Sequence, residues 1–572
     1  MKSKVLVLVS CGIAFSGLLL TFLSCGGVKQ SGPVDQDPQN HDPQAAGVLQ
    51  WKADNSGRGL YSNETILTPA GVNVSQFGKL ATFTTDGTIM AQPLYIANLD
   101  MGSAGTHNVL ILATEHDSVF AFDADHPGAP LWTRQYLDPA AGVTSLTSGI
   151  SGRITLGPEA GITGTPFVDP SSDIMYFVTV IARNRKAEQW LRAVDIRTGK
   201  DFGPGSVQIN ASVPGGGHGS VNGKLAFDAL RENQRPGLVE LNGKILIAWG
   251  SFSDFGTYHG WIMAYDAKTL QQIAVFNSTP QFQANDITAG PIAHGGGGSF
   301  WQGGASPAID SDGNIYVVAA DGSFNADQGG QNFGDSVLKL RLNGNTFQVV
   351  DWFAPSNQAC INAANLDFGS GGFALLPPEV SSTHKLGVAS SKEGRLYLLD
   401  LGNLGKLNPS GDTQIPQALL VGSQGCTATT GPGADDSPAW NRLYGNVSYW
   451  NGNIYAAPSN TTLKQYQFQN GVLAAAPVAA SATAYGERGG NTVVSSNGKQ
   501  AGIVWAYEKT PTGHAVLHAY DAASVSRELW NSDMNRARDG LTGAVPFGTP
   551  VVVNGRVIAT SQNNATIYGM LR

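Results

Sequence analysis

Charge is scarce in this chain: only 14% of its 572 residues are Asp, Glu, Lys or Arg, and the net charge is a mild -8. Lysine and arginine form no cluster, so the electrostatic footprint that nucleic acid requires is missing and that class of partner is set aside. Cysteine is rarer still. The four cysteines include no Cys-x-x-Cys spacing, which leaves a zinc ribbon and a covalently attached c-type haem without support. Long amphipathic helical patterns are missing too. No Gly-x-Ser-x-Gly elbow stands in an α/β setting, so hydrolase chemistry has little to rest on. The run Gly215-Gly216-Gly217-His218-Gly219 lacks the strand, loop and helix context of a phosphate cradle.

Glycine and proline are plentiful, at 72 and 29 residues, and they punctuate a repeat. Eight times a Gly/Ala-x-Pro type of turn leads into a strand near Ile-Tyr, and most copies continue to a second strand ending in Ala-x-Asp. Gly164-Thr165-Pro166 leads through Met175-Tyr176-Phe177 to Ala193-Val194-Asp195, and Arg235-Pro236 leads to Ala264-Tyr265-Asp266. Later copies hold Asn314-Ile315-Tyr316, Arg395-Leu396-Tyr397, Asn453-Ile454-Tyr455 and Ala519-Tyr520-Asp521. A spacing of roughly 55 to 75 residues gives each unit about four short strands. One such unit buries neither its edge nor its apolar face, and radial repetition solves both problems. The last unit holds three strands, and Phe77 to Thr85 supplies the fourth from the other end of the chain. The predicted fold class is therefore all-β, with residues 75–572 forming one eight-bladed β-propeller of four-stranded antiparallel blades.

The first residues read as an address. Lys2 and Lys4 precede an apolar run from Val5 to Leu23, followed by Ser24-Cys25-Gly26-Gly27. This is similar to a bacterial lipoprotein signal covering residues 1–24, with Phe22 where the motif usually has Leu and with Cys25 as the lipidated first residue; the alternative is an uncleaved anchor helix. Residues 25–50 then form a flexible tether, and the expected location is the cell envelope, periplasm, outer membrane or cell surface. Export leaves Cys360 and Cys426 as an even pair in an oxidising compartment, either disulfide-bonded or as two buried thiols.

The strand exits Ala193-Val194-Asp195-Ile196-Arg197-Thr198-Gly199 and Ala264-Tyr265-Asp266-Ala267-Lys268-Thr269 resemble the docking repeat of the quinoprotein propellers, in which Asp and Thr cap a turn and a Trp packs between blades. Four further stretches resemble parts of the pyrroloquinoline quinone (PQQ) dependent dehydrogenases. Gly296-Gly297-Gly298-Ser299-Phe300-Trp301 is similar to the glycine run whose tryptophan floors the quinone; core packing is the alternative for Trp301. Asp321 falls where the family has a calcium-ligating asparagine, or is an ordinary Asp-Gly turn. Asp367, in Asn365-Leu366-Asp367-Phe368-Gly369, resembles the catalytic base that takes the alcohol proton, or is a solvated loop residue. Lys392, in Lys392-Glu393-Gly394-Arg395, resembles the lysine that holds a quinone oxygen, or is an exposed turn residue.

The departures are equally specific. No adjacent Cys-Cys pair exists, and the glutamate ligand of the second blade has no counterpart near Arg183-Asn184-Arg185, Glu188 lying too close to the following strand. Glu115-His116-Asp117, His218 and His294 offer a weaker metal constellation, with loop polarity as the alternative. The expected function is an exported, lipid-anchored propeller that binds a protein or envelope partner. The alternative is a PQQ- and calcium-dependent dehydrogenase of a small alcohol or sugar, with Trp301, Asp321, Lys392 and Asp367 as its site.

Overall fold

The computed structural model describes residues 47–154, 156–282, 296–427, 430 and 440–571. The signal, Cys25 and most of the expected tether lie outside the described residues. Eight antiparallel sheets follow one another along the chain, each with four principal strands. Blade 1 holds Leu94–Asp100, Thr106–Ala113, Ser118–Asp123 and Trp132–Gln135. Blade 2 runs from Phe167–Asp169 to Asp201–Gln208, blade 3 from Val239–Leu241 to Gln272–Asn277, and blade 4 from Ala308–Ile309 to Thr346–Phe353. Blade 5 spans Phe373–Leu375 to Gln417–Leu420, blade 6 Ser448–Trp450 to Ala479–Ala484, and blade 7 Gly490–Asn497 to Glu528–Asn531. Blade 8 has three strands from the C-terminal end of the chain and takes its outer one from Phe77–Thr84, which pairs antiparallel with Asn564–Met570.

The repeat has a mechanical reason. Asp195 accepts hydrogen bonds from the amides of Arg197 and Thr198, and Asp266 from those of Lys268 and Thr269, so each Asp caps the turn that follows it. The capped turn is a dock for the preceding blade. Trp132 of blade 1 donates its indole N–H to Ile196 O at 2.8 Å in blade 2 and lies over Gly199. The tyrosines of the Ile-Tyr strands act likewise: Tyr176 reaches Ala267 O in blade 3, and Tyr455 reaches Ala522 O in blade 7. Apolar residues between these docks form clusters that each span neighbouring blades, such as Val178, Leu191, Ile247 and Met263 between blades 2 and 3. The core is thus a ring of blade-to-blade layers.

One element has no signal in the repeat. Residues 47–64 run through the central channel, hydrogen-bonded to the innermost strands. Gly47 and Val48 pair with Ile96 and Tyr95 of blade 1, and Leu49 O accepts from Val168 N of blade 2. Asn55, Ser56, Arg58 and Gly59 carbonyls accept from Ile309, Leu375, Tyr449 and Val494, one in each of blades 4 to 7. Glu64 closes the circuit by accepting Gly555 N of blade 8 at 2.8 Å. The stretch 47–50, read from sequence as the end of a tether, is therefore part of the ring's interior. Lys52 is fully buried there, donating to Asn446 O and Val447 O at 3.2 and 3.1 Å with Trp51 alongside.

Candidate functional site

The loops that link one blade to the next, and the second strand to the third within a blade, emerge on one face of the ring. Those of blades 3 to 5 carry every described residue of the sequence-predicted constellation. Asp321 follows the second strand of blade 4, Asp367 lies between blades 4 and 5, Lys392 follows the second strand of blade 5, and Trp301 lies between blades 3 and 4.

These residues meet. Lys392 Nζ donates to Asp367 Oδ2 at 2.8 Å, both side chains being 9% exposed. Asp321 and Asp367 lie close enough for each carboxyl to shift the titration of the other. Trp301 donates its indole N–H to Asp254 Oδ1 at 3.4 Å, and Asp254 in turn feels the charges of Asp367 and Lys392. One face of the indole lies on Gly250, where an added Cβ would stand 3.1 Å from the ring. Backbone packing holds the frame: Gly298 N donates to Asp321 O at 2.7 Å, Lys392 N to Asp367 O at 3.2 Å, and Gly322 N to Asn362 Oδ1 at 2.8 Å.

Acids surround the pair that the sequence did not single out. Asp335 is fully buried and accepts from Phe368 N at 3.0 Å, next to Asp367. Glu232, buried on the short strand Glu232–Asn233 before blade 3, accepts from His259 N at 3.0 Å and Trp261 Nε1 at 3.2 Å. Tyr258 sits among Asp254, Asp321, Asp367 and Glu232. Neither Glu232 nor Tyr258 repeats between blades, so only their burial and convergence reveal them. Glu232 Oε2, Asp321 Oδ1, Asp367 Oδ1 and the Tyr258 hydroxyl are buried without a hydrogen-bond partner among the described residues, an expensive state for polar atoms.

Burial dominates the titration of this cluster. It pushes Glu232, Asp321 and Asp335 well above the carboxylate range, with the Asp367 charge adding to the effect on Asp321. Asp254 moves up for the same two reasons. Asp367 goes the other way: burial opposes its ionisation, but the Lys392 ammonium and the Asp321 carboxyl outweigh it and hold the pKa below the usual value. These opposed shifts favour the proton on Asp321 and the charge on Asp367.

Other expected features fall elsewhere. Cys360 and Cys426 form a disulfide with Cα atoms 6.0 Å apart, and Cys426 N donates to Glu393 Oε1 at 2.8 Å. His116 pairs with Glu159 at 3.1 Å, and His259 Nε2 is 2.9 Å from His218 O; His294 lies outside the described residues. Among the described residues, no three His, Cys, Asp or Glu side chains are already gathered as a metal-binding group.

No protein-family model matches the chain, and no curated protein matches it either. Solved structures do. A quinohemoprotein alcohol dehydrogenase from Pseudomonas putida superposes with a TM-score of 0.61 at 15% identity, over 92% of this chain and 81% of that one. The quinohemoprotein alcohol dehydrogenase of Comamonas testosteroni gives 0.59 at 15% identity, over 94% and 83%. A europium-containing methanol dehydrogenase gives 0.57 at 12% identity, over 93% and 99%. At these identities the likeness establishes the fold.

Proposed function

We propose that this eight-bladed propeller of the quinoprotein alcohol dehydrogenase fold is an exported, lipid-anchored protein that oxidises a small alcohol or sugar with PQQ and calcium. The observation that carries the reading is the buried Lys392–Asp367 ion pair, with Asp321 coupled to Asp367 and Trp301 linked to the pair through Asp254, the four predicted residues coming from four loops of one face.

The residues suit both groups in their donor chemistry. Hard cations take carboxylate oxygens, and Asp321, Asp367 and Glu232 each keep one buried oxygen without a partner among the described residues. Trp301 lies on a glycine with its indole only partly buried, which suits a flat ring system. When bound, the quinone supplies a two-electron acceptor that no side chain here provides. The chain's own work is proton handling and orientation. Asp367 is held ionised by Lys392 and would take the hydroxyl proton of an alcohol at Oδ1. Asp321 would hold cation and proton in competition, while Asp254 fixes the plane of the indole through its N–H.

Purified protein mixed with calcium and PQQ should show a quinone absorbance change, a rise in Tm and dye reduction with an alcohol. Trp301→Ala should abolish cofactor binding, whereas Asp367→Asn should keep binding and lose about 100-fold or more in kcat. Absence of any spectral change or stabilisation at high cofactor excess would overturn the dehydrogenase reading.

A second reading has its own support. Lys392 is committed to Asp367 rather than held apart for a quinone oxygen. In that reading the same propeller is a binding or scaffold module for a protein or envelope partner, and the ion pair braces its loop face.

A further inference from the structure

The Cys360–Cys426 disulfide lies where the segments of the acidic site are joined. Cys360 belongs to the short helix Gln358–Ala364, and that helix touches the site at three places. Asn362 Oδ1 accepts Gly322 N at 2.8 Å, next to Asp321. Gln358 Nε2 reaches Asp335 Oδ2 at 3.4 Å, and Leu366 N, one residue before Asp367, returns to Ile361 O at 2.9 Å. On the other side, Cys426 N donates to Glu393 Oε1 at 2.8 Å, and Asn357 Nδ2 donates to the same oxygen at 2.8 Å. Glu393 follows Lys392 directly and is buried, with Tyr397 and Arg395 on its carboxylate. The bridge thus ties the Asp367 side of the ion pair to the Lys392 side. Both cysteines are partly exposed.

We propose that this disulfide is a redox-sensitive positioning clamp: oxidised, it holds Asp321, Asp367 and Lys392 together; reduced, it releases the helix and loosens the site while the blades persist. Cys360 and Cys426 are positioning residues, since neither touches the ion pair. Opening the clamp takes a dithiol reductant, whose two thiols become a disulfide while two electrons and two protons convert Cys360 and Cys426 to thiols. The blades do not depend on the bridge for closure, because the ring is joined by Phe77–Thr84 on Asn564–Met570. The proposal goes beyond the dehydrogenase reading and does not need its cofactor.

The test is hydrogen exchange read by mass spectrometry on the folded chain before and after dithiothreitol, with thiol alkylation to count the opened bridge. Exchange at the amides of Gly322, Phe368, Lys392 and Cys426 should rise about 10-fold or more, with peptides of blades 1, 2, 7 and 8 unchanged, and reoxidation should reverse it. Unchanged exchange in the reduced protein would overturn the clamp, and so would a rise spread over every blade, which marks a general fold staple. The double variant Cys360→Ser, Cys426→Ser should show the same local pattern without reductant. Should that variant fail to fold, reduction of the folded chain decides alone. Because no cofactor enters the readout, failure here and failure of PQQ binding are separate results.

Discussion

Lys52, buried in the central channel, carries a pH signature with a definite window. Burial pushes its pKa from 10.5 down to about 7, so the unfolded chain binds a proton that the folded chain has shed across that interval. Stability therefore rises with pH from about 7 to 10.5, and the cost is present in full below pH 7. Relative to Lys52→Met, the wild-type chain should gain about 1.4 kcal/mol per pH unit in that window, measured by urea unfolding at several pH values. Equal pH slopes for the two proteins would show that Lys52 stays charged. The site residues differ in legibility for a physical reason. Trp301, Asp321, Asp367 and Lys392 sit in stretches whose neighbours also match a pattern, whereas Asp254, Asp335 and Tyr258 are single polar residues in loops and Glu232 is one on a two-residue strand. Only burial distinguishes such residues from ordinary turn polarity.

At the scale of elements, the turn after Ala-x-Asp is the joint between blades. Gly199 has a φ of +66° and would place a Cβ 2.7 Å from the Trp132 ring. Gly199→Val should therefore cost about 2 kcal/mol or more, read as a lower urea midpoint, while Thr198→Val should cost much less. Comparable losses for the two would remove the docking argument. The repeat made these joints legible because each blade solves the same packing problem with the same residue types. The channel segment 47–64 was not legible, because its pairing partners are strands of six blades scattered over the rest of the chain. Its register depends on backbone hydrogen bonds, which any side chain can make.

At the scale of the whole molecule, closure rests on one strand from the N-terminal side. Phe77 anchors it, with its ring 5.0 Å from Trp530 and 5.5 Å from Trp505. Phe77→Ala should lower stability by about 3–5 kcal/mol and expose the seam between blades 7 and 8 to protease before any other; cleavage elsewhere first would contradict closure at this seam. The proposed address belongs to this scale as well. Cys25→Ser should abolish labelling by fatty acid and shift the protein from the membrane to the soluble fraction of the envelope, and unchanged membrane association would overturn the lipid anchor.

The sequence by itself determined the number of blades, the strand-to-strand alternation and the shared last blade, because periodic turns and apolar spacing are local properties repeated eight times. It also singled out Cys360 and Cys426 as an even pair if Cys11 and Cys25 belong to the proposed address, though it did not show that they bond. Tertiary structure decided the rest: which loops converge, which acids lose their water, and where residues 47–64 run. Those outcomes depend on distances between residues far apart in the chain, and burial acts on a carboxylate only once those distances are set.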